Sequence, residues 1–449
     1  MLADAIQHYH DLLTPQLAAD SQAQLTRVTA GRQLYFGDRP VCSVLRPRLM
    51  TPAQFRFLQQ RTHIVLQAFH KAQERALVDA SFRAQFGLRD WEENLLSINP
   101  GYKHPSPTSR FDTFFVSEQE LKFTEFNTET PAGCGYHDIL TEMHYGLPIM
   151  QEFQRKYQVQ PLPARPGVLH ALLDSFRQWA GNTSTAPNIA ILDWKEVPTY
   201  SEFRIFDEYF RTQGLTSHII DPREVTFTDG KLMHHDYHIT LIYKRVLISE
   251  LYERGGADHP VIQALRAGAV CMVNSFRCKI LYKKASLAVM SDERNAGMFT
   301  PTELDALTQH VPWTRIVSER KAVYHGQTID LIPYITTHKD HLVLKPNDEY
   351  GGKGIVLGWT VDQSMWEKAV QGALAEPYVV QEKVNLPQEV FPSWEHGAVR
   401  MVPRMLDTDP FVTFGATSDA CLTRISTDPL LNVTAGGGST VPTLLVTAR

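Results

Sequence analysis

The sequence predicts a mixed α/β protein, with a helical N-terminal segment, a strand–helix–strand unit at its centre and a strand–glycine loop–strand flap in its last third. Three observations carry this. Apolar residues recur at helical spacing through the first 90 or so residues; strand and helix signals alternate from Ile189 to Tyr243; and the stretch HLVLKPNDEYGGKGIVLG, His341 to Gly358, sets glycines between two short apolar runs. At 449 residues the length suits about three domains.

Composition narrows the function. The 44 Lys and Arg against 49 Asp and Glu leave a net charge of −5, with the basic residues scattered, so nucleic acid is not an expected partner. No run approaches the roughly 18 uncharged apolar residues that cross a bilayer. The opening MLADAIQHYHDLL lacks the basic and apolar regions of a secretory leader, so a cytoplasmic protein without a membrane partner is expected. The five cysteines (Cys42, Cys134, Cys271, Cys278, Cys421) are odd in number and form no C-x-x-C pair, which disfavours disulfides and a zinc site.

In chain order, Thr51-Pro52-Ala53-Gln54 carries the N-cap, proline and glutamine of a capping box, and Phe55, Leu58, Val65, Leu66 and Phe69 then form an apolar helical face. Thr300-Pro301-Thr302-Glu303 repeats the signal. From Ser109 to Asp138 the pattern turns to strands, SRFDTFFVSEQELKFTEFNTETPAGCGYHD. The period of two puts Arg110 and Asp112 on one strand face, and Glu125 and Asn127 on one face of the next. Paired as a hairpin, Asp112, Glu125 and Asn127 converge and offer hard oxygen ligands suited to Mg²⁺. A solvated outer face of an amphipathic hairpin shows the same alternation.

Pro161, Pro163, Pro166 and the run GNTSTAP mark linkers around a short helix. A strand follows at Ile189 to Leu192, a helix from Glu202 to Gln213 closed by Gly214, a strand at Thr216 to Ile220, a turn at Asp229-Gly230, and a strand from Ile239 to Tyr243 ending in Lys244-Arg245. Such a unit binds ligands at the carboxyl ends of its strands, here Trp194 to Ser201 and Lys244-Arg245. An exposed basic pair would read the same.

In the last third, Lys283-Lys284 opens the helical stretch KKASLAVM. The flap delivers Lys345 at a strand end before Pro346, Asp348 and Glu349, and Gly351-Gly352-Lys353-Gly354 bares backbone N–H groups to an anion. Gly354 after Lys353, and a strand rather than a helix beyond it, separate the flap from the P-loop. An ordinary tight turn is also consistent with it. Pro377 to Val384 is a strand with a polar end, Arg424 lies in a strand, and Asn432 to Ser439 is a second glycine-rich loop.

Taken in order, Arg110-Phe111-Asp112, Glu125-Phe126-Asn127, Val343-Leu344-Lys345-Pro346, Glu349 before Gly351, Val379-Val380-Gln381-Glu382-Lys383, Thr423-Arg424, and Asn432 with Gly436 to Gly438 resemble the motif series of the permuted ATP-grasp ligases. That group holds eukaryotic-type glutathione synthetase and bacterial glutathionylspermidine synthetase. The resemblance runs from about residue 100 to the C-terminus. It implies helices plus metal-binding strands over 1–165, a Rossmann-like substrate domain over 166–275 and an ATP-grasp nucleotide-binding domain over 276–449.

The resemblance further implies a glutathionylspermidine synthetase-like ligase that joins a small carboxylate to an amine through an acyl phosphate, with ATP as cosubstrate and one or two Mg²⁺. Asp112, Glu125 and Asn127 would bind the metal. Lys283 or Lys284, Lys345, Glu349, Gly351, Gly352, Lys353, Gln381, Glu382, Lys383, Asn432, Gly436 and Gly437 would bind the nucleotide. Arg424 and Arg110 would be catalytic, and Arg110, Thr128, Thr130, Tyr200 and Arg245 would meet the substrates. Glutathione synthetase relatives imply a homodimer. The segment Thr128 to Gly135 departs from the glutathione synthetases, and the amidase domain of bifunctional glutathionylspermidine enzymes is lacking. A small-molecule phosphotransferase and a non-catalytic nucleotide-binding protein are the alternatives.

Overall fold

Threonine caps start the long N-terminal helices. In the computed structural model, which describes residues 1–181, 184–349, 351–429, 431 and 438–449, the helix Pro15–Gly31 is capped by Thr14 and the helix Pro52–Val78 by Thr51. The Thr51 hydroxyl accepts from the Gln54 N–H at 3.1 Å, and the Gln54 side chain accepts from the Thr51 N–H at 3.0 Å, completing the capping box. Thr300 and Glu303 form the second box.

The buried face of Pro52–Val78 holds Phe55, Leu58, Val65, Leu66 and Phe69. Phe69 meets Phe111 and Phe126 edge-on at 5.5 and 5.1 Å. These two phenylalanines stack across the hairpin of strands Thr108–Ser117 and Glu120–Asn127. Burying each is worth about 1.5–3 kcal/mol. Because strand side chains alternate, anchoring Phe111 and Phe126 on the helix turns Arg110, Asp112, Glu125 and Asn127 to the other face. Arg110 pairs with Asn127 and Asp112 with Glu125, and Thr124 is the extra residue of a bulge beside them.

The hairpin belongs to a sheet whose other members come from far along the chain. Strand Asp409–Thr413 pairs with Thr108–Ser117, with Phe411 opposite Arg110, and then with Thr417–Ser426, which carries Arg424. Ser439–Ala448 flanks Thr417–Ser426 on its other side, and the hairpin Gln388–Glu395/Ala398–Leu406 extends the edge. Among the described residues this sheet has nine strands.

A second sheet is parallel throughout, in the order Cys271–Val273, Leu241–Lys244, Asn188–Leu192, Thr216–Ile220. The helix Tyr200–Thr212 makes the crossover between Asn188–Leu192 and Thr216–Ile220. The single strand expected from Ile239 to Tyr243 is instead broken at Thr240. Tyr237–Ile239 closes an antiparallel meander, Leu241–Lys244 enters the parallel sheet, and the Thr240 hydroxyl accepts from the Asn188 N–H at 2.8 Å.

Past the end of Cys271–Val273 lies Asn274, which is 1% exposed and ties this sheet to the hairpin. Its amide donates to the carbonyls of Thr108, Thr128 and Glu129 at 2.6, 2.9 and 3.1 Å, and its oxygen accepts from the Thr108 N–H at 3.1 Å. Asn274→Ala would take a partner from each of these groups; the Glu129 carbonyl keeps Lys244, and at about 1 kcal/mol or more for each of the others a loss of at least about 3 kcal/mol is expected in urea unfolding.

The third sheet is antiparallel, in the order Thr314–Ile316, Tyr378–Glu382, Leu342–Pro346, Val356–Leu357, and it holds the flap. The stretch KKASLAVM becomes helical only at Ala285, after a break from Lys279–Tyr282. Asn347 occupies the break, accepting from the Lys284 N–H at its carbonyl and from the Ala285 N–H at its side chain. The two adjacent lysines therefore leave the chain in different directions.

Candidate active site

All three sheets contribute to one cleft of about 560 Å³. The hairpin and the loop after it supply Arg110, Asp112, Glu125, Asn127 and Thr130; strand Thr417–Ser426 supplies Arg424 and the turn before Asp409–Thr413 supplies Asp407; the flap and its sheet supply Lys345, Gly351, Gly352, Gln381, Glu382 and Lys383; the ends of the parallel strands supply Asp193 and Arg245.

Asp112 is the hub. One carboxylate oxygen accepts from Arg110 Nε at 2.9 Å and Asn127 Nδ2 at 2.8 Å, and the other accepts from Arg424 Nη2 at 2.7 Å. Arg424 is held further by Asp407, which accepts from its N–H and its Nε, each at 2.6 Å, and it reaches Asp409 at 3.1 Å. Burial alone would raise the Asp112 carboxyl, but the Arg110 and Arg424 guanidiniums overcome it and hold the group well below the usual carboxylate range. Burial pushes Asp407 and Asp409 up, and the charges of Asp407 and Asp112 push Asp409 furthest. A proton thus resides most readily on Asp409 while Asp112 stays ionised.

Across the hairpin, Glu125 meets Lys284 Nζ at 3.0 Å, and Lys284 also donates to the Glu349 carbonyl at 2.5 Å. Lys345 donates to Gln381 Oε1 at 2.7 Å, and Gln381 in turn donates to Thr314. Loss of solvent around the Lys345 ammonium lowers it to about 8, against the opposing pull of Glu125. Glu382 accepts from the Trp313 N–H at 3.0 Å and Lys383 lies 4.2 Å over the Trp359 ring.

Not every residue singled out in the sequence reaches this cleft. Lys283 is turned away, 1% exposed, with its Nζ on Glu92 at 2.8 Å and Asp348 at 2.6 Å. Lys279 shares both carboxylates and adds Glu129, so these charges form a dry network at the root of the flap. Thr128 is fully buried and donates to the Cys278 carbonyl, and Tyr200 packs on Phe203 beside the cleft. Glu349 and the exposed Lys353 pair with each other at 3.4 Å outside the lining. Asn432, Gly436 and Gly437 lie outside the described residues.

Asp407, Asp409 and Asp193 were missed. The spacing Asp407-Thr408-Asp409 is the same alternation as Arg110-Phe111-Asp112, one strand-face period, and could have marked the first two. Asp193, one residue beyond a parallel strand, lies where ligands gather on such sheets.

Comparison with known proteins fits this architecture. The chain shares its fold with a glutathione synthetase like-effector from Globodera pallida in its apo form, at a TM-score of 0.57 and 12% identity, covering 97% of this chain and 95% of that one. It is also 24% identical over 213 residues to a Frankia alni protein named "Putative glutamate--cysteine ligase 2-3", a match spanning 45% of this chain and 23% of that relative's length. The family model of circularly permuted ATP-grasp type 2 matches residues 83–426, and the chain belongs to that family.

Proposed function

We propose that the protein is an ATP-dependent carboxylate–amine ligase that makes an amide bond through an acyl phosphate. The observation that carries this reading is the meeting of Arg424 with Asp112 at 2.7 Å, 312 positions apart in sequence, in a cleft that also holds Lys345. Phosphoryl transfer between two anions needs positioned cations more than covalent help from protein, and this cleft concentrates them.

Asp112, Glu125 and Asn127 are hard oxygen donors on one face of the two-stranded hairpin, a set suited to Mg²⁺. Bound there, the metal would neutralise phosphate charge. The two carboxylates already carry matched cations, Arg110 and Arg424 on Asp112 and Lys284 on Glu125. A metal–nucleotide pair brings cation and anion together, so Lys284 and Arg424 can exchange carboxylate for phosphate while the carboxylates keep a cation. Lys345 adds a further phosphate contact, and the strand ending in Gln381-Glu382-Lys383 offers backbone and polar groups to the base. Arg424 follows charge onto the transferring phosphoryl group, and Arg110 holds the acyl carboxylate. Gly351 and Gly352 let the flap lie close over the phosphates and keep water from the acyl phosphate.

The test is release of ADP and inorganic phosphate against paired panels of carboxylates and amines. Release that requires both partners, with an amide product by mass, supports ligation; a phosphorylated small molecule without free phosphate would show a phosphotransferase instead. Glutathionylspermidine-type chemistry is one pairing in this panel and glutamate with cysteine another.

Lys345 adds a pH signature. Free, its ammonium titrates near 8; phosphates favour the charged form, so nucleotide binding above that pH takes up a proton. ADP affinity is expected to fall by up to about tenfold per pH unit above pH 8. Calorimetry from pH 7 to 9 checks this, and Lys345→Arg, charged throughout, should flatten the dependence.

A further inference from the structure

We propose that Asp348 is the positioning residue of the glycine flap: gripped by two buried lysines, Lys279 and Lys283, it fixes where Gly351 to Gly354 meet the nucleotide phosphates. This rests on the nucleotide site of the ligase reading and adds the group that aligns its flap.

Three successive residues at the flap root are held by one short segment, 279–285. The Asn347 carbonyl accepts from the Lys284 N–H at 3.0 Å, and the Asn347 side-chain oxygen accepts from the Ala285 N–H at 2.8 Å. Asp348 takes Lys279 Nζ on one carboxylate oxygen at 2.7 Å and Lys283 Nζ on the other at 2.6 Å. The Glu349 carbonyl accepts from Lys284 Nζ at 2.5 Å. Beyond them Gly351, Lys353 and Gly354 are exposed. The glycines are thus carried between this root and the return strand Val356–Leu357, which adds only two paired residues.

The grip on Asp348 is electrostatic. Among the described residues the network sets Lys244, Lys279 and Lys283 against Glu92, Glu129 and Asp348, so three cations meet three carboxylates. All but Asp348 are at most 2% exposed. In so dry a site the pairs hold only while the charges match and the hydrogen bonds are made. Burial would raise the Asp348 carboxyl, but Lys279 and Lys283 hold it below the ordinary carboxylate value.

Of the three acids only Asp348 belongs to the flap. Glu92 comes from the helix Asp90–Leu96 and Glu129 from the loop after the hairpin. An asparagine at 348 would accept from one lysine and turn an N–H donor toward the other, leaving three lysines on two carboxylates. Lys284 would keep its contact with Glu125 at 3.0 Å, so the phosphate-facing cations survive the change.

Trypsin cleavage after Lys353, whose side chain is 77% exposed, reads the flap directly. With Mg²⁺ and a non-hydrolysable ATP analogue saturating each protein, cleavage of the unaltered full chain is expected to slow by about tenfold or more. In Asp348→Asn the analogue should still bind, through Lys284 and Lys345, but slow cleavage by no more than about twofold. Glu92→Gln removes a charge from the same network without touching the flap and should keep the full protection, a contrast that general destabilisation does not produce. Protection in Asp348→Asn equal to that of the unaltered protein overturns the proposal, as does an equal loss in Glu92→Gln or an analogue that binds the unaltered protein without slowing cleavage. Should either variant fail to fold, hydrogen exchange in the unaltered protein decides: the amides of 347–349 are expected to exchange at least about tenfold more slowly than those of 351–354, and equal rates overturn the assignment. Failure of the unaltered protein to bind the analogue would instead remove the nucleotide site on which the proposal stands.

Discussion

Replacing Arg424 by lysine is expected to lower kcat for the proposed ligation by about 10²–10³, the cost of losing one preorganised donor at a developing charge. Lysine keeps the positive charge but not the shape. Arg424 uses Nε on Asp407 and Nη2 on both Asp112 and Asp409, so a single guanidinium plane is oriented by three carboxylates. An ammonium on a flexible stem can satisfy one of them and reach no fixed point in the cleft. ADP affinity should change far less than kcat, because Lys345 and Lys284 remain. Steady-state ADP release beside ADP titration gives both numbers, and an equal fall in the two would show that Arg424 only assists nucleotide binding.

Asp112→Asn is expected to lower unfolding free energy by about 3–5 kcal/mol, the range found when one partner of a buried charge cluster is removed. The substitution keeps shape and removes charge, leaving Arg110 and Arg424 facing each other with nothing ionised between them on the hairpin side. Part of the loss should be recovered by Asp409, whose proton is held there partly by Asp112's charge and is released more easily without it. Urea unfolding at pH 7 measures the loss. Repeating it at lower pH separates the two charges: Asp112 is held far below the carboxylate range, so its contribution persists in mild acid and is lost only as pH falls through that depressed value.

The sequence made the hairpin face legible because a period of two needs no tertiary knowledge. Arg110, Asp112, Glu125 and Asn127 stand together as the alternation requires, and Phe111 and Phe126 supply the buried side that fixes it. Other features depend on geometry that no local pattern encodes. Lys283 and Lys284 are adjacent and chemically alike, and only the Asn347 interruption sends one to Glu125 and the other into the Glu92–Asp348 network. The break at Thr240 reflects two sheets competing for one extended segment. Asp193 and Glu250 converge through the Trp194 ring and main chain, contacts that span 56 positions on the ring side and one on the other.

The pairing of Thr108–Ser117 with Asp409–Thr413 also has a consequence for biosynthesis. When the earlier hairpin, ending at Asn127, leaves the ribosome, the strand that will cover its outer edge, beginning at Asp409, is still untranslated, and the naked edge is a template for stray association. The helix Pro52–Val78 emerges first and can shield one face, but it leaves that edge open. Nascent chains halted near residue 300 should therefore recruit holdase chaperones to residues 108–117, and those emerging with the last strands should shed them.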